Sequence, residues 1–107
     1  MRMVSDEERE SVIDIDKLIH EPARLMIMAQ LYVVDEADFI FLMRQTGLTW
    51  GNLSSHLSKL EEAEYIEVQK EFLDKKPRTI LKLTKKGRES FKEYRRAMDH
   101  VLSDLPD

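Results

Sequence analysis

The stretch Asp38-Phe-Ile-Phe-Leu-Met-Arg-Gln-Thr-Gly47-Leu-Thr-Trp-Gly-Asn-Leu-Ser-Ser-His-Leu-Ser-Lys-Leu60 decides how the chain folds. Asp38 is a strong helix N-cap, and Phe39, Leu42 and Met43 recur on one side of the helix it opens. Gly47 supplies the left-handed residue that ends this helix after Gln45 and Thr46. Thr49 caps the next helix, and Leu48 before it is placed to staple onto Leu53. On a helical wheel Leu53, Leu57 and Leu60 form one narrow apolar stripe, while Gly51, Asn52, Ser55, Ser58, Lys59 and Glu62 lie opposite. A helix, a short glycine turn and a capped second helix make the helix-turn-helix pattern.

The polar side of the second of these helices is unusual. Ser54, Ser55 and Ser58 each cost a few tenths of a kcal/mol of helix propensity against Ala or Glu, so something other than helix stability favours them. Short polar side chains over the first turns suit entry into a DNA major groove, about 12 Å wide, where Asn, Ser, His and Lys meet base edges or phosphates. Bulky acids begin only at Glu61. Trp50, in the first turn, either stacks on a sugar-phosphate backbone or packs back under the first helix of the domain, which opens at Pro22. Burial is the commoner fate of an indole in a small domain and is the expectation here.

Downstream the period changes from helical to alternating. Ile66, Val68 and Phe72 share one side of a strand, with Glu67, Gln69 and Glu71 on the other. Asp74-Lys-Lys-Pro77 reads as a loop, and Thr79, Leu81 and Leu83 alternate with Arg78, Ile80 and Lys82 in a returning strand. The hairpin therefore has a basic tip. Thr84 caps a last helix in which Phe91, Tyr94, Met98, Val101 and Leu105 keep a three-four spacing, with Leu102 beside them. That seam is expected to meet a second copy of the chain.

Upstream, Pro22 suits a first helical turn, and Leu25, Met28, Ala29 and Tyr32 recur behind it. Met26, Ile27, Leu31 and Val33 occupy the other sides. A helix apolar nearly all round is buried on more than one side, so Leu25, Met28 and Tyr32 are expected to join the intermolecular contact. A small-molecule effector pocket, if there is one, is expected near Met26, Met28 and Tyr32, although those methionines read first as core. His20, next to Pro22, is expected to help cap this helix. Ser5-Asp-Glu-Glu8 has the form of a capping box, but nothing apolar follows before Val12, so 1–15 reads as an acidic segment, a short helix or disordered.

At 107 residues and 42% apolar, the chain supports one modest core. The absence of cysteine removes disulfides, thiolate metal sites and cysteine nucleophiles, and fits a reducing cytoplasmic setting. No apolar run approaches the roughly 20 residues that span a bilayer, and the acidic start lacks the features of a secretory signal. The net charge of −4 is unevenly distributed: Ser5 to Asp16 is rich in Asp and Glu, whereas Lys75 to Arg88 carries seven cations and no acid. Such polarity presents a cationic face to DNA while the remainder discourages indiscriminate sticking. His20, His56 and His100 lie far apart in sequence without carboxylates at ligand spacing, so no metal and no cofactor is expected. With no glycine-rich phosphate loop and no nucleophile-histidine pair, the chain does not read as an enzyme.

Four blocks also carry a family resemblance: Ile19-His-Glu-Pro-Ala-Arg-Leu-Met-Ile-Met28, Gly47 to Leu57, Lys75-Lys-Pro-Arg-Thr79 and Leu83-Thr-Lys-Lys-Gly-Arg88. They resemble the winged-helix regulators related to the MarR and ArsR groups, over Asp16 to about Met98. The resemblance implies a homodimer joined by its first and last helices, with DNA contacts from Asn52, Ser54, Ser55, His56 and Lys59 in the helix and Lys75, Lys76 and Arg78 in the wing. The ArsR-type metal ligands are missing. Where these relatives carry Gly after the third helix, this chain has Glu64, which enters a left-handed turn only with strain.

The expected architecture is thus α+β, mainly α: a winged helix-turn-helix domain over 16–88, with a three-helix core and a two-stranded wing at 73–79, then a dimerising helix through 89–107. The recognition helix, 49–63, also brings Thr49 and Ser58 to the DNA. Half-sites of a palindromic operator would lie about one helical turn apart. The rival reading, a winged-helix module that holds a protein partner, is disfavoured by the basic wing.

Overall fold

The computed structural model describes residues 14–106. The expected capping-box helix at Ser5 and most of the acidic segment lie outside them.

The first described helix, α1 (Pro22–Val33), starts at Pro22 and is capped by Glu21, whose carboxylate accepts the Arg24 N–H at 2.8 Å. His20 does not serve as the cap; its Nδ1 lies 2.9 Å from the Tyr94 hydroxyl, a partner 74 residues away. Ahead of the helix, Asp16 accepts the backbone N–H groups of Leu18 and Ile19 and so turns Ile19 into the core. Ile27, Met28 and Leu31 form the inner face of α1.

Two residues, Ala37–Asp38, form strand β1, and Asp38 then caps α2 (Phe39–Thr46) through its bond to the Phe41 N–H. Gly47 ends α2 at φ 71°, its N–H returning to Met43. Thr49 caps α3 (Trp50–Glu62), which buries Leu53, Leu57 and Leu60 as the wheel predicts. The end of α3 is a Schellman motif: Tyr65 N–H bonds the Leu60 carbonyl and Glu64 N–H bonds that of Glu61. Glu64 stands at φ 64°, so a residue with a Cβ occupies the left-handed position of the motif and the strain is accepted.

Strands β2 (Ile66–Leu73) and β3 (Lys76–Leu83) pair antiparallel from Ile66↔Leu83 to Leu73↔Lys76. The connection is two residues long, with Asp74 and Lys75 at φ 52° and 67°, the signature of a type I′ turn. The loop expected through Pro77 is therefore shorter, and Lys76 and Pro77 belong to the strand. The wing is the expected two-stranded hairpin, and a short strand not expected from the sequence, β1, adds to the outer edge of β3, giving a sheet ordered β1-β3-β2 with Ala37 opposite Leu81 and Asp38 opposite Ile80. Ile80, expected on the outward side, is consequently buried, in a cleft it shares with Val34, Ala37 and Phe41. Phe72 departs in the other direction. It shares the Ile66 and Val68 face but lies beyond the end of the core and is largely exposed.

The core gathers Ile19, Ile27, Met28, Leu31, Leu42, the α3 leucines, Ile66, Leu81, Phe91 and Tyr94. The last of these come from α4 (Lys85–Ser103), capped by Thr84 and about 28 Å long at 1.5 Å per residue. Its three-four seam divides into two parts. Phe91 and Tyr94 pack inside their own subunit, Phe91 at 5.2 Å from the Tyr32 ring, and Met98 rests half-buried against the core. Farther along, Leu102 and Leu105 are 55% and 63% exposed. Met28, expected to face a partner, is fully buried within its own chain and offers no side-chain surface.

Candidate nucleic-acid interface

Helix α3 has its leucine stripe in the core, so the opposite face is exposed: Asn52, Ser54, Ser55, Ser58 and Lys59 all project outward. Thr49 is exposed at its N-terminus, its hydroxyl oxygen accepting the Asn52 N–H at 3.2 Å. The first acids of this face are Glu61 and Glu62, in the final turn. The leading end of the helix thus combines its unpaired backbone N–H groups with neutral donors, a field that favours an anion, and Lys59 follows only in the last turn.

His56 lies on the flank of this face. Its ring is turned toward the start of α1, where Nδ1 sits 3.1 Å from Arg24 Nη1 and 3.7 Å from Glu21 Oε2. Sequence spacing carried no signal of this cluster, because it joins residues 32 positions apart. The Glu21 carboxylate is held below its ordinary pKa of 4.5, chiefly by the Arg24 backbone N–H, against some desolvation.

Trp50 does not pack beneath α1. It is 61% exposed, with one face tilted against Phe39 at 4.3 Å between ring centres. Together with Phe39 and Ile40 it forms one wall of an open groove of about 490 Å³, whose other wall is the wing: Leu73, Lys76, Pro77 and Arg78. The groove lies between the leading end of α3 and the hairpin.

The wing cations are not equivalent. Lys75 and Lys76 are exposed and make no ion pair among the described residues. Arg78 is already engaged by Asp38 at 3.5 Å and Glu71 at 3.6 Å, and Lys82 by Glu36 at 3.7 Å. Arg78 therefore ties the outer half of the hairpin to the start of α2 through Asp38, and its charge is offset by its neighbours. On the far side of the molecule a second open cleft, about 760 Å³, lies between Asp16, Tyr65 and the α4 residues Glu89, Glu93, Tyr94 and His100. Burial, reinforced by the hydrogen bond to Asp16, pushes the Tyr65 phenol up there.

The profile of the winged helix DNA-binding domain family matches residues 23–102. The chain belongs to that family. A transcriptional regulator homologue from Pyrococcus horikoshii OT3 is 30% identical and superposes with a TM-score of 0.81, covering 94% of this chain and all of the other. An uncharacterized protein of Methanocaldococcus jannaschii is 40% identical over 78 residues, 73% of this chain and 85% of its own length. The transcriptional repressor BigR from Xylella fastidiosa, 21% identical with a TM-score of 0.59 over 95% of each chain, shares the fold. The winged helix, its long last helix and its family are those of DNA-binding transcriptional regulators. Among the described residues, no helix is long and apolar enough to cross a membrane.

Proposed function

We propose that the protein regulates transcription as a homodimer that occupies specific operator DNA, with α3 in the major groove and the wing on the adjacent backbone or minor groove. The observation that carries this reading is the pairing of an acid-free, exposed leading face of α3 with two uncommitted lysines at a tight wing tip. Thr49, Asn52, Ser54, Ser55, Ser58 and Lys59 read bases and phosphates, His56 meets a phosphate at the groove edge, and Lys75 and Lys76 meet the backbone. Arg78 contributes mainly by stiffening the wing. The second copy docks against the outer half of α4, around Val101, Leu102 and Leu105, with Leu25 and Tyr32 of α1 flanking. Two symmetric copies would then place their α3 helices in successive major grooves.

The test is titration of the protein into labelled duplex from upstream of its own gene, against random competitor, at two salt concentrations. Trp50 is the single tryptophan and lies beside the groove, so its emission reports the same event. Competitor-resistant, salt-sensitive binding with a change in Trp50 emission is expected. An intact dimer that binds no duplex at low salt would overturn the reading in favour of a protein partner.

A further inference from the structure

The contact between α1 and the recognition helix is chemically directional. Arg24 is nearly buried, its side chain 12% exposed: Nε donates to the Leu18 carbonyl at 2.5 Å, and Nη1 reaches His56 Nδ1 at 3.1 Å and lies 3.9 Å from Glu21 Oε2. A guanidinium has donors only, so at this contact Nδ1 must accept. Glu21 Oε2, at 3.7 Å from Nδ1, is beyond hydrogen-bond reach and is occupied by the Arg24 backbone N–H. A neutral imidazole whose Nδ1 accepts carries its hydrogen on Nε2. Nε2 makes no hydrogen bond among the described residues, and the ring is partly exposed at the edge of the α3 face.

We infer that Arg24 is a positioning residue for DNA: it fixes the tautomer and aim of His56 so that Nε2–H is presented to a phosphate oxygen beside the recognition helix. The inference rests on the DNA-binding reading above. It makes α1 part of the recognition apparatus, because a shift of α1 relative to α3 would release the imidazole. The hydrogen-bond chain Leu18 carbonyl, Arg24, His56, phosphate has every donor and acceptor matched in direction, which strengthens its members mutually.

Two measurements test it. Nitrogen-15 correlation spectra of the free protein, above the pH where imidazole protonates, are expected to show His56 as the Nε2–H tautomer; an Nδ1–H signature overturns the inference without reference to DNA. The second measurement is a binding cycle on operator duplex. Arg24→Met is expected to weaken binding about fivefold, the scale of one ordinary net hydrogen bond. His56→Gln, whose amide nitrogen is a donor in either case, is expected to cost about threefold, and adding Arg24→Met to it is expected to cost nothing more. If Arg24 only braced α1, the two losses would multiply, which overturns the inference. Thermal unfolding of each variant identifies any that fail to fold, and the tautomer measurement on the unaltered protein then decides alone. Failure of the unaltered protein to bind duplex sinks the DNA reading itself and is distinct from either result.

Discussion

Gly87 approaches the backbone of Tyr65 so closely that a Cβ at position 87 would stand 2.0 Å from the Tyr65 carbonyl oxygen. That oxygen also accepts the Thr84 N–H, and the Thr84 hydroxyl donates to the Glu64 carbonyl at 2.6 Å, so the start of α4 is fastened to the end of α3. Gly to Ala inside a helix ordinarily stabilises by up to about 1 kcal/mol. Here the sign reverses. Gly87→Ala is expected to destabilise by about 1–3 kcal/mol or more, because the obstructing atoms are backbone. A urea midpoint that rises would show that α4 does not dock in this way.

Glu64 bears the neighbouring strain. At φ 64° a residue with a Cβ gives up about 1–2 kcal/mol relative to an unstrained conformation, and glycine avoids it. Glu64→Gly should therefore raise stability, by about 1 kcal/mol or less once the added freedom of the unfolded chain is offset. Glu64→Ala, which keeps a Cβ, should not. Chemical denaturation of the pair separates relief of strain from simple removal of a carboxylate.

Charge reversal at the wing tip, Lys75→Glu with Lys76→Glu, is expected to weaken operator binding and to flatten its dependence on salt. Each lost phosphate contact removes about 0.9 from the logarithmic slope. Lys75→Gly alone should stabilise the type I′ turn, since position 75 has φ 67°, while still weakening DNA binding. Binding isotherms at a series of salt concentrations read both; an unchanged slope after the double reversal would remove the wing from the DNA.

Leu102→Asp with Leu105→Asp should yield a folded monomer. Both side chains are more than half exposed in the subunit, so folding loses little, whereas an unpaired charge buried against a second copy is costly. Met98→Asp is the harsher change, because Met98 rests against its own core. Light scattering after size exclusion reports the mass, and circular dichroism reports the fold. A stable dimer from the double variant would place the interface elsewhere.

The Glu21 cap sets a pH window. Its carboxyl pKa is held below 4.5 by the Arg24 backbone N–H first, so the folded state favours the ionised form. A depressed carboxyl contributes stability that is complete above its ordinary value and is lost as pH falls through the lowered one. The stability gap between the unaltered protein and Glu21→Gln should thus be widest above pH 4.5 and close on further acidification. Urea midpoints across that range measure it; a gap that widens in acid would contradict the assignment.

Features whose physics acts within a few residues were legible along the chain. Asp38, Thr49 and Thr84 each bond an N–H three positions ahead, Pro22 opens its helix, Gly47 ends one, and the leucines of α3 repeat at helical spacing. Alternation likewise revealed the hairpin. The tertiary structure alone decided what depends on residues far apart. Strand β1 is two residues long, too short for any period, and only its pairing with β3 brings it into the sheet and buries Ile80. Arg78 looked like a free wing cation until the fold brought Asp38 and Glu71 to it. Trp50 stays exposed because Phe39 covers only one of its faces, and His56 is aimed by Arg24 from another helix. A cap or a stripe is closed by neighbours along the chain, whereas the direction of a side chain on a folded surface is set by whichever distant group completes its hydrogen bonds or its packing.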